Sequence, residues 1–112
     1  MITLHAFLVR RPDLSHEGFL EHWRDRHGPL VRDTPELARH LVRYEQHDRL
    51  LGGRGGTAGY DGVAVQVFRT WDDFAAMLEE PAARRMADDE AEFLDRDRLL
   101  VVLSEEHRVV VG

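Results

Sequence analysis

Four stretches rich in β-forming residues alternate with two stretches of helical spacing, and this order limits the folds open to the chain. Residues 2–10 (ITLHAFLVR) are apolar on both alternating faces, which is typical of a strand in the middle of a covered sheet. Further strands are predicted over 38–48, 63–69 and 99–111. Together they are enough for one sheet.

The first helical stretch lies between the first two strands. Ser15 offers an N-cap, and Phe19, Trp23 and His27 then recur at four-residue steps, which places them on one helix face. Gly28-Pro29 is expected to end or kink this helix, and Pro29 could start another short helical stretch that reaches about Thr34, before Pro35. His27 is therefore predicted to lie at a helix C-terminus.

The second helical stretch follows the third strand. Thr70 is predicted to cap a helix, with Asp73 at the capping-box position, and Pro81 to restart one. The first of these helices is expected to present one face made of Trp71, Phe74 and Leu78, and the second to turn Met86, Glu90, Phe93 and Leu94 toward the core.

The resulting order is βαββαβ. It is the order of the ferredoxin-like topology, an α+β fold in which both helices cover one face of a four-stranded antiparallel sheet. At 112 residues the chain is long enough for one core and too short for two. We expect a single domain over residues 1–112.

The other face of this sheet has no helix to cover it. Leu4, Ala6, Leu8, Leu100 and Val102, or their alternates, cannot all lie under two helices. An apolar sheet face of this kind is commonly buried in a two-fold dimer. The sequence therefore predicts a homodimer in which two sheets form one barrel around a cavity.

Charge and hydropathy exclude several classes of protein. All 15 basic residues are Arg, yet the net charge is −6, so no basic field favours nucleic acid. The longest apolar run, Leu99–Leu103, is far too short to span a membrane, and no signal segment is predicted. Cysteine is absent, which fits a cytoplasmic protein held together by packing.

A glycine-rich segment precedes the third strand. Six of the nine glycines lie between Leu51 and Gly62, and the part from Gly52 to Gly59 is expected to be a mobile loop. Its GRGGTA sequence is similar to half of a dinucleotide-binding fingerprint. No helix follows to receive a phosphate, so a nucleotide site is not predicted.

Residues 19–30, FLEHWRDRHGPL, carry an aromatic residue, a Trp four positions later and then His-Gly-Pro. This pattern resembles the signature of the EthD-like family, as do RYEQH at 43–47, YDGVAVQVF at 60–68 and MADDEAEFLDRD at 86–97. The resemblance implies a dimeric α/β barrel that uses no metal or organic cofactor. Characterised relatives isomerise lactones or dehydrate and cyclise aromatic polyketides.

His27 is the leading candidate for a catalytic residue. The dipole at a helix C-terminus favours an imidazolium, and a histidine there can transfer protons near neutral pH. The alternative is a capping histidine that bonds free carbonyl groups and serves folding only.

Tyr44 and His47 are the next candidates, as a donor to a developing oxyanion and as a second proton carrier. Residues three apart on a regular strand point to opposite faces, so both can line one cavity only at a bulge or at the strand end. Tyr44 could equally fill the sheet, and His47 could be a solvated residue at the strand end.

Trp23, Phe7 and Gln66 are candidates for substrate contact. Trp23 is expected chiefly to pack in the core, and the alternative is that it forms a wall against a flat substrate. Gln66 and His5 lie in mid-strand, and the sequence leaves open which face each of them takes. No pair of histidines has the spacing of a helical metal site, so no metal is predicted. Asp88-Asp89-Glu90 is expected to face solvent.

The leading hypothesis is a cofactor-independent enzyme that isomerises, cyclises or dehydrates a small hydrophobic substrate. A lactone or an aromatic, polyketide-like compound is expected as substrate, with His27 as acid or base and Tyr44 as hydrogen-bond donor. Two alternatives remain open. One is a cofactorless monooxygenase, and the other is a noncatalytic dimer that binds small ligands or assists a neighbouring enzyme.

Overall fold

The computed structural model describes residues 1–50 and 59–112 and contains one four-stranded sheet. All neighbouring strands are antiparallel, in the spatial order β2-β3-β1-β4. This confirms the predicted ferredoxin-like topology. The strands are β1 (Ile2–Leu8), β2 (Arg43–Asp48), β3 (Gly62–Phe68) and β4 (Leu100–Ser104).

The helices lie in the two connections that cross over the sheet. None of the helices in residues 1–50 and 59–112 is long and apolar enough to cross a membrane. They are α1 (His16–His22), a π-helical turn (Trp23–His27), α2 (Gly28–Arg32), α3 (Pro35–Ala38), α4 (Trp71–Glu79) and α5 (Ala83–Phe93), with a 3₁₀ turn at Arg96–Arg98.

The first helix changes to a π turn before Gly28-Pro29, and the short helical stretch predicted to start at Pro29 is present as α2. Ser15 caps the first helix as expected, accepting a hydrogen bond from the backbone N–H of Gly18 at 3.0 Å. The chain then passes through the π turn directly into α2, where Pro29 occupies the first turn. A proline is tolerated there because its missing N–H is not needed. His27 therefore lies inside a continuous helical segment rather than at its end.

Three strands are shorter than predicted, and the first of them, β1, ends at Leu8 instead of residue 10. β2 begins at Arg43 instead of residue 38, because residues 35–38 form α3 and bury Leu37 completely. β4 ends at Ser104, which pairs with Thr3 near the start of β1, so no partner remains for the residues beyond it. The valines at 109–111 are 70–91% exposed.

The two faces of the sheet have different neighbours. We call the face that the helices cover the inner face, and it carries Leu4, Ala6 and Leu8 of β1. The strand residues that alternate with these point to the opposite side of the sheet. They form the outer face, which no element covers among the residues described. It contains Thr3, His5, Phe7, Arg43, Glu45, His47, Val63, Val65, Val67, Leu100 and Val102.

The α4 helix begins as predicted but buries a different face. Thr70 Oγ1 accepts from the Asp73 backbone N–H at 3.2 Å, which confirms the cap. Trp71 and Leu78 are each 55% exposed, whereas Met77 is 2% exposed and packs on the core. The predicted mobile loop from Gly52 to Gly59 lies, up to residue 58, outside the described residues.

Candidate functional site

A cavity of about 280 Å³ lies between the inner face of the sheet and the helices. We call it the inner cavity. Its polar lining consists of His27, Tyr44, Gln66 and Glu90. Most of the remaining wall is aliphatic or aromatic, as is usual for a site that binds a small organic molecule. That wall includes Leu4, Ala6, Trp23, Phe68, Met77, Met86, Phe93 and Leu99.

The π turn brings both Trp23 and His27 into this region. A π turn accommodates one extra residue in a helix and often occurs at functional sites. Trp23 is 1% exposed, belongs to the core and also lines the inner cavity. Its ring lies so close to Gly62 that a Cβ there would stand 2.6 Å from Trp23 Cζ3. Only glycine fits at this point of β3.

His27 forms part of a buried chain of three side chains. Its Nδ1 lies 2.8 Å from Asp89 Oδ2, and His22 Nε2 lies 2.8 Å from Asp89 Oδ1. Both imidazole rings pack against Phe93, with centroid distances of 4.7 Å for His22 and 5.0 Å for His27. One carboxylate of α5 thus positions two histidines of the first helical segment.

The electrostatics of His27 differ from the prediction. Burial lowers the pKa of His27, although the hydrogen bond and the negative charge of Asp89 act in the opposite direction. The prediction that a helix dipole would favour the imidazolium was wrong, and so was the capping alternative. The imidazole binds a side chain of another helix, and its lowered pKa favours the neutral form.

Tyr44 is held in place by Gln46. The Gln46 side-chain amide donates to the Tyr44 hydroxyl at 3.0 Å and to the backbone carbonyl of Trp23 at 2.9 Å. Because the hydroxyl accepts this bond, its own proton is free for another acceptor. Burial raises the pKa of Tyr44, and Glu90 adds to this effect. Tyr44 is therefore a neutral donor at physiological pH.

Glu90 is the fourth polar group of the inner cavity. Its carboxyl group makes no hydrogen bond to any residue that the structure describes. Burial raises the pKa of Glu90, the positive charge of Arg96 partly offsets this, and Asp89 raises the pKa further. The side chain therefore retains its proton to a higher pH than a solvated glutamate does.

The remaining predicted site residues lie on different faces of the sheet. Gln66 lies on the inner face and lines the inner cavity. Phe7 and His47 lie on the outer face, so the structure does not bring them together with His27. Phe7 packs edge-on against Tyr60 at 5.9 Å, and the His47 side chain is 58% exposed and bonds Glu45 at 2.9 Å. The β2–β3 register is regular, without the bulge that Tyr44 and His47 would need to share a face.

The sequence did not single out Asp89 or Gln46. Asp89 was expected to face solvent, as part of the charged run at residues 88–90. His22 and His27 are five positions apart, a spacing that is not a neighbour pair on an α-helix. The π turn allows both to reach one carboxylate, and nothing in the residue pattern marks that turn.

His22, Asp89 and Glu92 place their ligand atoms within 4.8 Å of one another. The spacing of residues along one helix does not reveal this group, because His22 belongs to α1 whereas Asp89 and Glu92 belong to α5. Both Asp89 oxygens already bind imidazoles, so a cation here would compete with the contacts that hold His27.

Comparison with known proteins gives one family match. The family model for the EthD domain matches residues 11–97 of this chain. No curated protein matches it.

Several solved structures share the fold. An EthD family protein from Bacillus halodurans has 20% identity and a TM-score of 0.72, with 96% of this chain and 99% of that one covered. A dimeric protein of unknown function from Bacteroides fragilis has 14% identity, coverages of 94% and 95%, and a TM-score of 0.70. Hydroxynitrile lyase from Passiflora edulis has 14% identity, coverages of 98% and 96%, and a TM-score of 0.72.

Proposed function

The chain belongs to the EthD domain family, and from that premise we propose that it is a cofactor-independent enzyme that moves protons on a small hydrophobic substrate. The reaction is an isomerisation, cyclisation or dehydration of a cyclic or aromatic compound of lactone or polyketide type. The observation that carries this proposal is the convergence of His27 and Tyr44 on one largely apolar cavity.

His27 is the base in this proposal. A carboxylate can only accept hydrogen bonds, so its contact with Asp89 fixes the proton of the neutral imidazole on Nδ1. Nε2 then carries the lone pair and makes no hydrogen bond within the described residues. When Nε2 takes a proton from a substrate, the imidazolium forms beside the negative charge of Asp89, which stabilises it.

Tyr44 supports the charge that develops on the substrate. Its hydroxyl already accepts from Gln46, so its proton is available to a substrate oxygen. Gln66, on the same inner face, offers an amide that can orient the same ligand. The apolar walls favour a flat, weakly polar molecule and keep water from the reacting atoms.

The test is turnover of a panel of unsaturated lactones and bicyclic aromatic ketones. We expect His27→Gln to stay folded and to lose about 10²- to 10⁴-fold in turnover, the usual contribution of a general base. The matched control is His47→Gln, because this second histidine lies exposed on the outer face. Equal turnover by His27→Gln and the wild type would contradict the role of His27.

A ligand-binding protein without activity is a second candidate, favoured by the predominance of apolar side chains around the inner cavity. This candidate predicts that the wild type binds members of the panel and converts none of them. Fluorescence of Trp23, which lines the cavity, reports that binding independently of turnover.

We further propose that the protein is a homodimer joined through its outer faces. The apolar side chains there, among them Val65, Leu100 and Val102, need a cover, and a second copy of the same face provides one. Leu100 and Val102 are 49% and 48% exposed in the single chain. The inner cavity lies on the opposite side of the sheet and stays accessible in such a dimer.

A further inference from the structure

The mechanism above leaves one polar group of the inner cavity unused. Glu90 stands on α5 directly after Asp89 and three residues before Phe93, so it shares the cavity side of that helix with Phe93. Met86 and Phe93 lie beside it in the wall of the inner cavity. An ionised carboxylate in such a place needs a partner, and the described residues offer it no hydrogen bond.

The charges around Glu90 act in both directions. Arg96, after the end of α5, favours its ionised form, while Asp89 and burial oppose ionisation. Tyr44 lines the same cavity from β2, and the negative charge of an ionised Glu90 raises the pKa of the Tyr44 phenol. His27 lines the same cavity from the π turn. A carboxyl group with a raised pKa and an imidazole with a lowered pKa therefore line one cavity.

We propose that Glu90 is the general acid that works opposite His27, and that the substrates are uncharged carbonyl compounds with a removable hydrogen next to the carbonyl group. This inference rests on the proposed function and gives it a substrate class. No arginine occurs among the residues known to line the inner cavity, so an anionic substrate finds no counter-charge there.

The proposed steps balance without any further reactant. His27 Nε2 removes a proton from the carbon beside the carbonyl group, and the electron pair of that C–H bond forms a C=C bond. The carbonyl π pair moves to oxygen, which takes the Glu90 proton while Tyr44 donates a hydrogen bond to it. The imidazolium then returns its proton to carbon, at the same or a conjugated position, and the Glu90 carboxylate recovers the hydroxyl proton.

This arrangement follows a general pattern of acid-base sites. Two titratable groups whose environments shift their pKa values in opposite directions commonly serve as base and acid of one reaction. A carboxyl group that keeps its proton can donate to an oxygen atom, which an exposed glutamate cannot do at neutral pH. Glu92, two residues further on α5, is exposed and serves as the comparison.

The test is exchange of the hydrogens beside the carbonyl group of 2-tetralone in D₂O, followed by NMR. We expect the wild type to accelerate this exchange and Glu90→Gln to lose about 10²-fold or more, with Glu92→Gln unchanged. Glutamine keeps the shape of the side chain and its hydrogen bonding but has no proton to give. Unchanged exchange by folded Glu90→Gln would overturn the role of Glu90.

The same assay separates this inference from the proposed function. If His27→Gln abolishes exchange while Glu90→Gln does not, the proposed function stands and Glu90 is not the acid. If the wild type does not accelerate exchange of 2-tetralone, the substrate class proposed here is wrong. Turnover of other members of the panel then still decides the proposed function.

A second measurement needs no substrate. The Glu90 carboxyl carbon, followed by ¹³C NMR in the folded wild type, should titrate above the ordinary glutamate value of 4.5. Glu90→Gln identifies the signal by its loss. A Glu90 midpoint at or below that value would overturn the proposal, because the group would then be ionised when the reaction begins.

Discussion

At the scale of single residues, the site depends on one carboxylate that serves two imidazoles. Asp89 lies 2.8 Å from both His22 and His27, and its contact with Nδ1 of His27 leaves Nε2 as the nitrogen that we propose acts as base. A carboxylate that orients a catalytic histidine commonly contributes strongly to the rate. The sequence shows the aspartate but not its partners, because no residue pattern marks the π turn that brings the two histidines together.

Asp89→Asn should lower the pKa of His27 further. The substitution removes a charge and a hydrogen bond that raise this pKa and leaves the larger effect of burial. NMR titration of the His27 ring measures the change, and Asp88→Asn, with an exposed side chain on the same helix, is the control. An unchanged His27 midpoint would contradict the role assigned to Asp89.

A second buried carboxylate, Asp61, gives the protein an acid-sensitive point. It is fully buried, with Arg10 and His16 each 2.7 Å from Oδ1. Burial alone would raise the pKa of Asp61, but the hydrogen bonds from Arg10 and His16 outweigh it and lower the pKa. The folded state therefore holds the ionised form more strongly than the unfolded chain does.

This sign sets the direction of the pH dependence. The contribution of Asp61 to stability is present above the unfolded value of about 3.9 and is lost as pH falls through the lower folded value. Asp61→Asn should cost about 1–3 kcal/mol at pH 7, since it removes the buried carboxylate charge that Arg10 and His16 bond. Denaturant unfolding of the wild type and of Asp61→Asn measures the difference in stability at pH 7 and at pH 3. This difference should be smaller at pH 3, and an equal difference at the two pH values would contradict the assignment.

At the scale of elements, the residue pattern predicted the strand order and missed the details that make the site. The spacing of Phe19 and Trp23 and the caps at Ser15 and Thr70 are local signals, and each led to the right element. Gly28-Pro29 correctly predicted a second short helix, but a proline in the first turn of α2 is compatible with a continuing helical segment, so the pair did not place His27 at a helix end. The faces of Tyr44 and Gln66 followed only from the register of paired strands, which is not a local property.

The π turn can be tested by shortening it. Deleting the exposed Arg26 removes the extra residue and places His22 and His27 four positions apart, the spacing of a neighbour pair on an α-helix, so a regular helix should still bring both imidazoles to Asp89. We expect helix content in circular dichroism and turnover both to be retained. A loss of turnover as large as in His27→Gln would mean that the extra residue itself is needed to position the imidazole.

At the scale of the whole molecule, the two faces of the sheet have separate roles. The inner face and the helices enclose the site, and the outer face presents apolar side chains for a second copy. The sequence predicted that one face must remain uncovered. It could not assign residues to the faces, and it placed the cavity inside the barrel shared by two subunits, whereas the structure encloses a cavity within one chain.

The dimer is tested by the mass of the protein in solution. We expect twice the chain mass of 12.9 kDa at micromolar concentration by light scattering, with an interface of at least about 1,000 Å². Val65→Glu places a charge in the middle of the outer face and should yield monomers, while Glu92→Gln should leave the mass unchanged. A wild-type monomer at these concentrations would contradict the proposed interface.

The claim that His27 acts as a base in the inner cavity is tested most directly by the pH dependence of kcat/KM for exchange of 2-tetralone. In the wild type the rate should fall on the acid side as His27 becomes protonated, with a midpoint below the usual value of about 6.5. In His27→Gln this acid limb should disappear together with about 10²- to 10⁴-fold of the rate. An acid limb that persists in a folded His27→Gln protein at the wild-type rate would contradict the account.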